Sequence, residues 1–138
     1  MTADPFDAFL ASGDTLRIYQ DGRLLFSSKK DRLLPLMEYI ANCEIGREPV
    51  AIFDKIMGNA AALLAVKANA GEVASPMGSE LAVRTLDSNG IRHRLTEIVP
   101  YILRPDGQGL CPMEELSMGK GPEDFYREMK RRIGKSAI

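Results

Sequence analysis

Residues 50–66 read Val50-Ala51-Ile52-Phe53-Asp54-Lys55-Ile56-Met57-Gly58-Asn59-Ala60-Ala61-Ala62-Leu63-Leu64-Ala65-Val66. The unbroken apolar run 50–53 is too short for a helix and has no polar alternation, so it reads as a strand buried on both faces. Asp54 and Lys55 end it. Residues 60–66 then form a helix that is apolar nearly all round and must be buried on every side. Ala60, Ala61 and Ala62 permit close approach to a sheet, and Gly71 is the expected cap at its end. A buried strand feeding a buried helix is the unit from which parallel α/β sheets are built.

Outward from this unit, each side supplies more of the same. Residues 16–20 and 23–27 flank Asp21-Gly22, a two-residue hairpin turn that needs positive φ. In simple register Ile18 faces Leu25 and Tyr19 meets Leu24, with apolar side chains on both faces. A helix is expected over 29–42 from the spacing of Leu33, Leu36, Met37, Ile40 and Cys43, with Pro35 in its first turn. Upstream, Asp4 caps a short helix with Pro5 at its first position, the stripe Phe6, Phe9 and Leu10, and Gly13 closing it in a left-handed turn. Downstream, a strand is expected over 72–75, stopped by Pro76. Ser79 caps a helix over 80–88, and 91–99 alternates like a strand nearer an edge. A Pro- and Gly-rich loop spans 100–109. Pro112 opens a short helix, and a last helix over 122–134 carries Phe125, Met129 and Ile133. The fold class is therefore α/β, with right-handed crossovers and helices on both faces of a five-stranded sheet that begins with an antiparallel hairpin. One domain is expected over 1–138.

Composition narrows the function classes. The chain has 138 residues, 45% hydrophobic and 27% charged, with 18 Lys+Arg against 19 Asp+Glu. Near-neutral charge argues against nucleic acid or an anionic membrane as partner. No apolar run approaches the roughly 20 residues of a membrane helix. The acidic start Met1-Thr2-Ala3-Asp4-Pro5 has no export-signal pattern, so a reduced cytoplasm is expected. Cys43 and Cys111 are the two cysteines and His93 is the one histidine. With no C-x-x-C, H-x-E or H-E-x-x-H spacing, neither zinc nor another cofactor is expected.

In sheets of this kind ligands bind beyond the carboxyl ends of central strands. That rule singles out Asp54, Lys55, Gly58 and Asn59, and Ser79 after the next strand. Free N–H groups at a helix start favour an anion, and Gly58 permits close approach; Asn59 as a plain N-cap is the competing account. Cys111 before Pro112 is the candidate nucleophile or redox thiol, against a role as a small apolar filler. Glu114 either closes the pocket or decorates a first helical turn. His93 and the run Lys130-Arg131-Arg132 read as structural.

Two segments, Asp54-Lys55-Ile56-Met57-Gly58-Asn59-Ala60-Ala61-Ala62-Leu63-Leu64 and Gly109-Leu110-Cys111-Pro112-Met113-Glu114, resemble domain-of-unknown-function family 1893. The likeness covers roughly residues 14–118. It implies a three-layer α/β/α, cytidine-deaminase-like fold that lacks the zinc signature, in a family of unassigned activity. It also implies a Lys after the Gly of the first segment, where Asn59 stands here. By element order, the two helix starts that carry deaminase zinc ligands fall near 30–34 and 55–60. Neither has Cys, His or Glu, so deamination is not expected. Three readings remain: a binder of a small anionic or nucleotide-like ligand, a cysteine-dependent enzyme using Cys111, and a non-catalytic interaction protein that forms homo-oligomers.

Overall fold

The computed structural model describes residues 4–135; Met1-Thr2-Ala3, read above for an export signal, lies outside them. Five strands form one mixed sheet in the order β2-β1-β3-β4-β5. β1 (Leu16–Gln20) pairs antiparallel with both β2 (Arg23–Ser28) and β3 (Val50–Asp54), while β3, β4 (Ala70–Ser79) and β5 (Arg92–Val99) run parallel. The helices are α1 (Pro5–Ala11), α2 (Leu34–Asn42), α3 (Asn59–Lys67), α4 (Glu80–Ser88), α5 (Pro112–Ser117) and α6 (Pro122–Lys135).

The two faces of the sheet are covered unequally. The steps β3–α3–β4 and β4–α4–β5 move in the same direction across the sheet. A single crossover hand therefore puts α3 and α4 on one face, where Ile18, Ile52 and Val73 meet Leu64 and Leu86 in the main core. Helix α2 joins them through Leu36 and Ile40, and α6 through Phe125 and Met129. Helix α3 is thus enclosed by sheet and neighbouring helices, which is why it needs no polar stripe. Among the described residues, the opposite face carries α1 as its one helix. Phe6 and Phe9 pack on Phe53 and Ala74 there, with Tyr19 beside them. The helices expected on both faces are present, but one layer is a single seven-residue helix.

Local differences from the sequence reading have physical causes. Asp21 and Gly22 make the hairpin turn at φ 51° and 77°. A bulge between Ile18 and Tyr19 then pairs Ile18 with Phe26 instead of Leu25. The extra residue, Leu25, is turned toward solvent. Helix α2 starts at Leu34, not near 29, because the Pro35 ring would clash with a helical carbonyl four residues earlier. Helix α3 ends through Asn69 at φ 62°, not through Gly71. Gly71 lies in β4, where a Cβ would meet the Pro49 Cβ at 2.9 Å. Strand β4 runs through Pro76 to Ser79, past the expected stop. The pairing of β4 with β5 is broken only at that residue, and Met77 N–H bonds the Ser75 hydroxyl at 3.3 Å. Helix α1 ends at Ser12, whose hydroxyl donates to the Phe9 carbonyl at 2.7 Å, so Gly13 is not the cap. Leu10 is exposed and does not join the stripe.

Candidate functional site

Strand β3 ends level with Ser75, β4 and β5 run on together to Ser79 and Val99, and around these carboxyl ends the chain gathers buried polar side chains. Asp54, Asn59, Ser75, Ser79, Glu114 and Ser117 are all buried there. Met57 returns to β4, donating to the Met77 carbonyl at 2.8 Å and accepting from Ser79 N–H at 3.1 Å. Helix α3 therefore opens at Gly58 directly over the strand ends.

That opening is filled from within. The Glu114 carboxylate accepts the Asn59 N–H at 2.7 Å and the Ile102 N–H at 2.6 Å. It lies 2% exposed and is in no ion pair among the described residues. Backbone donors and the positive end of α3 balance its charge. Gly58 makes room for it, since a Cβ there would stand 3.3 Å from Glu114 Oε1 and 3.1 Å from Ile102 Cγ1. The Asn59 amide donates to the Ser117 hydroxyl at 3.0 Å, and its oxygen accepts from the Thr85 hydroxyl. Ser117 donates to the Glu114 carbonyl at 2.7 Å. The open hollow expected at Gly58 and Asn59 is thus a closed polar network tying α5 and α4 to the start of α3.

The remaining sequence candidates divide. Asp54 stays beside the network on the main-core face. Burial pushes its carboxyl up to about 7, against the lowering effect of the Ile56 and Lys55 N–H groups. Lys55, just past the strand, points to the other face. Its ammonium sits 3.4 Å from the Phe9 and Leu10 carbonyls and 4.7 Å over the Phe9 ring, capping the end of α1. Ser79 accepts from Ala82 N–H at 3.1 Å and serves as the N-cap of α4. Cys111 is half-buried and precedes α5 without a side-chain cap bond. His93 bonds Asp87 at 2.9 Å near the start of β5. Cys111 N–H bonds the Ile102 carbonyl beyond the end of β5, and the six steps along the strand from His93 to Val99 alone span roughly 20 Å. The one histidine cannot serve that thiol as a base.

A second helix start is open. A cleft of about 390 Å³ lies between the beginning of α2 and helices α5 and α6. Asp31, Arg32, Leu34, Met113, Met129 and Arg132 line it. No side chain caps α2, whose N-cap position is Leu33. Arg32 holds φ 61° and is in no ion pair among the described residues. Arg132 has one ion-pair contact, at 3.4 Å, with Glu128, whose carboxylate is held 2.6 Å from Arg131. Neither arginine was singled out from the sequence as a site residue. Arg132 lies in a basic run that reads as a solvated helix end, and the two are a hundred residues apart in the chain. A broader depression of about 450 Å³ at the start of α6 is crossed by the Lys67–Glu123 ion pair.

Zinc does not fit these residues. Among the described residues no group of three or more His, Cys, Asp or Glu is placed to hold a metal ion. The starts of α2 and α3 offer neither Cys nor His. No described helix is long and apolar enough to cross a membrane.

Sheet order, helix placement and strand-end network together define an open mixed α/β protein in which the start of α3 is closed from within and that of α2 faces a cleft. The chain belongs to the family described as "Domain of unknown function (DUF1893)", whose model matches residues 7–132. It is similar to the crystal structure of a DUF1893 family protein from Thermotoga maritima, with a TM-score of 0.83 and 26% identity. That match covers 92% of this chain and 86% of the other. No curated protein matches significantly.

Proposed function

We propose that this chain is a cytidine-deaminase-like protein that works without zinc and binds a small anionic, nucleotide-like molecule in the cleft at the start of α2. The observation that carries this reading is the juxtaposition of Arg32 and Arg132 at an apolar cleft entered by an uncapped helix start. Guanidinium groups form forked bonds to phosphate or carboxylate oxygens. The Leu34 and Leu36 N–H groups of the first turn, Pro35 having none, add donors with the favourable sign of the helix dipole. Met113 and Met129 offer polarisable surface to a flat ring. Asp31 at the same rim limits the net positive charge, which favours one phosphate over several. Gly58, Asn59 and Glu114 then support the α5 wall of the cleft without touching the ligand, while Asp54 stays buried at the end of β3, Ser79 caps α4 and Lys55 serves α1.

Calorimetric titration with inorganic phosphate, AMP and ATP tests this. AMP is expected to bind most tightly. Arg32→Ala and Arg132→Ala should each weaken it by roughly tenfold or more, the worth of one charge-assisted bond. No saturable binding to the wild type at millimolar AMP, or unchanged affinity in both variants, would refute the proposal.

A further inference from the structure

We infer that Glu114 is the positioning residue of this cleft, an inference that rests on the cleft reading above. Glu114 and Met113 are consecutive. One is seated in the start of α3 and the other lines the cleft. Helix α5 has only six residues, too few to persist as an isolated helix. Its place is set by what pins it: the Glu114 carboxylate on Asn59 N–H of α3 and on Ile102 N–H of the preceding loop, Ser117 on the Asn59 amide, and Met113 and Leu116 against the main core. The loop before α5 is held by the same carboxylate through Ile102. Removing the two Glu114 bonds loosens loop and helix together, and the Met113 wall shifts with them.

The two obvious variants fail in different ways. In Glu114→Gln the side-chain NH₂ must face one of the two backbone N–H groups, donor against donor. In Glu114→Ala the two donors are left facing a space that formate can enter. The readout that requires no ligand is amide exchange at Glu115, whose N–H bonds the Cys111 carbonyl at 3.1 Å within α5. The control is Ala68, whose N–H bonds the Leu64 carbonyl at 2.9 Å at the far end of α3.

Exchange at Glu115 is expected to quicken at least tenfold in both variants with Ala68 unchanged. Formate should restore protection in Glu114→Ala and not in Glu114→Gln. AMP affinity should fall at least tenfold in Glu114→Gln and recover with formate in Glu114→Ala. Unchanged Glu115 exchange, or loosened α5 with undiminished AMP affinity, overturns the inference. Equal acceleration at Ala68 also overturns it, because Glu114 would then support the whole fold and not the cleft wall. A wild type that does not bind AMP removes the cleft reading itself, and the exchange and formate results still decide whether Glu114 anchors α5.

Discussion

Asp54 and Lys55 are neighbours in the chain and part at the end of β3. The two-residue period of a strand sends one carboxyl into the core and one ammonium across the sheet to α1. An aspartate with no cation partner among the described residues is costly to ionise when buried, and its carboxyl titrates near 7 instead of 3.8. The folded state therefore holds a proton that the unfolded chain releases above about pH 4. Asp54 contributes stability at low pH that is lost as pH rises through 7. Asp54→Asn removes this slope. Relative to wild type, the variant should gain stability progressively between pH 4 and 7, on the order of a few kcal/mol, and no more beyond. Urea denaturation at a series of pH values measures it, and a constant difference across that range would contradict the assignment. Glu114 shows the limit of reading single residues. Its place in a first helical turn is legible, but its opposite partners, Asn59 and Ile102, are 55 and 12 residues away.

At the scale of elements, signals that act within a few residues were the reliable ones. Ser79 before Glu80, Asp4 before Pro5 and Asp21-Gly22 in the hairpin form their caps and turn by bonds or dihedrals confined to neighbouring positions. Ser79→Ala should therefore cost about 1–2 kcal/mol through the orphaned Ala82 N–H. The urea midpoint should fall with the slope unchanged, and AMP affinity should stay as in the wild type. A selective loss of AMP binding would return Ser79 to the pocket. Where an element's limit depends on a distant partner, sequence reading fell short. Gly71 invites a helix cap, yet it is Pro49 packing against β4 that requires the missing side chain. Pro76 suggests a stop, yet β4 continues because β5 pairs on either side of it.

Across the whole molecule, the thin layer is the informative one. Phe6, Phe9 and Phe53 have ring centroids 5.6–6.3 Å apart, and Arg94 reaches over Phe6 while binding Asp4. This small cluster, with Lys55 on the Phe9 and Leu10 carbonyls, docks α1 onto the sheet. Phe9→Ala should cost about 3–5 kcal/mol, whereas exposed Leu10→Ala should stay within about 0.5 kcal/mol. Chemical denaturation compares them, and equal effects would show that α1 is not held by the aromatic cluster. The sequence by itself determined the alternation of strand and helix, the buried 50–66 unit, the hairpin turn and the N-caps Asp4 and Ser79, because periodicity and local dihedral preference act over a few positions. Only the tertiary structure decided that one helix start is closed by Glu114 and the other left open beside Arg32 and Arg132. Which side chains meet across long chain separations is settled by packing, and no local pattern encodes it.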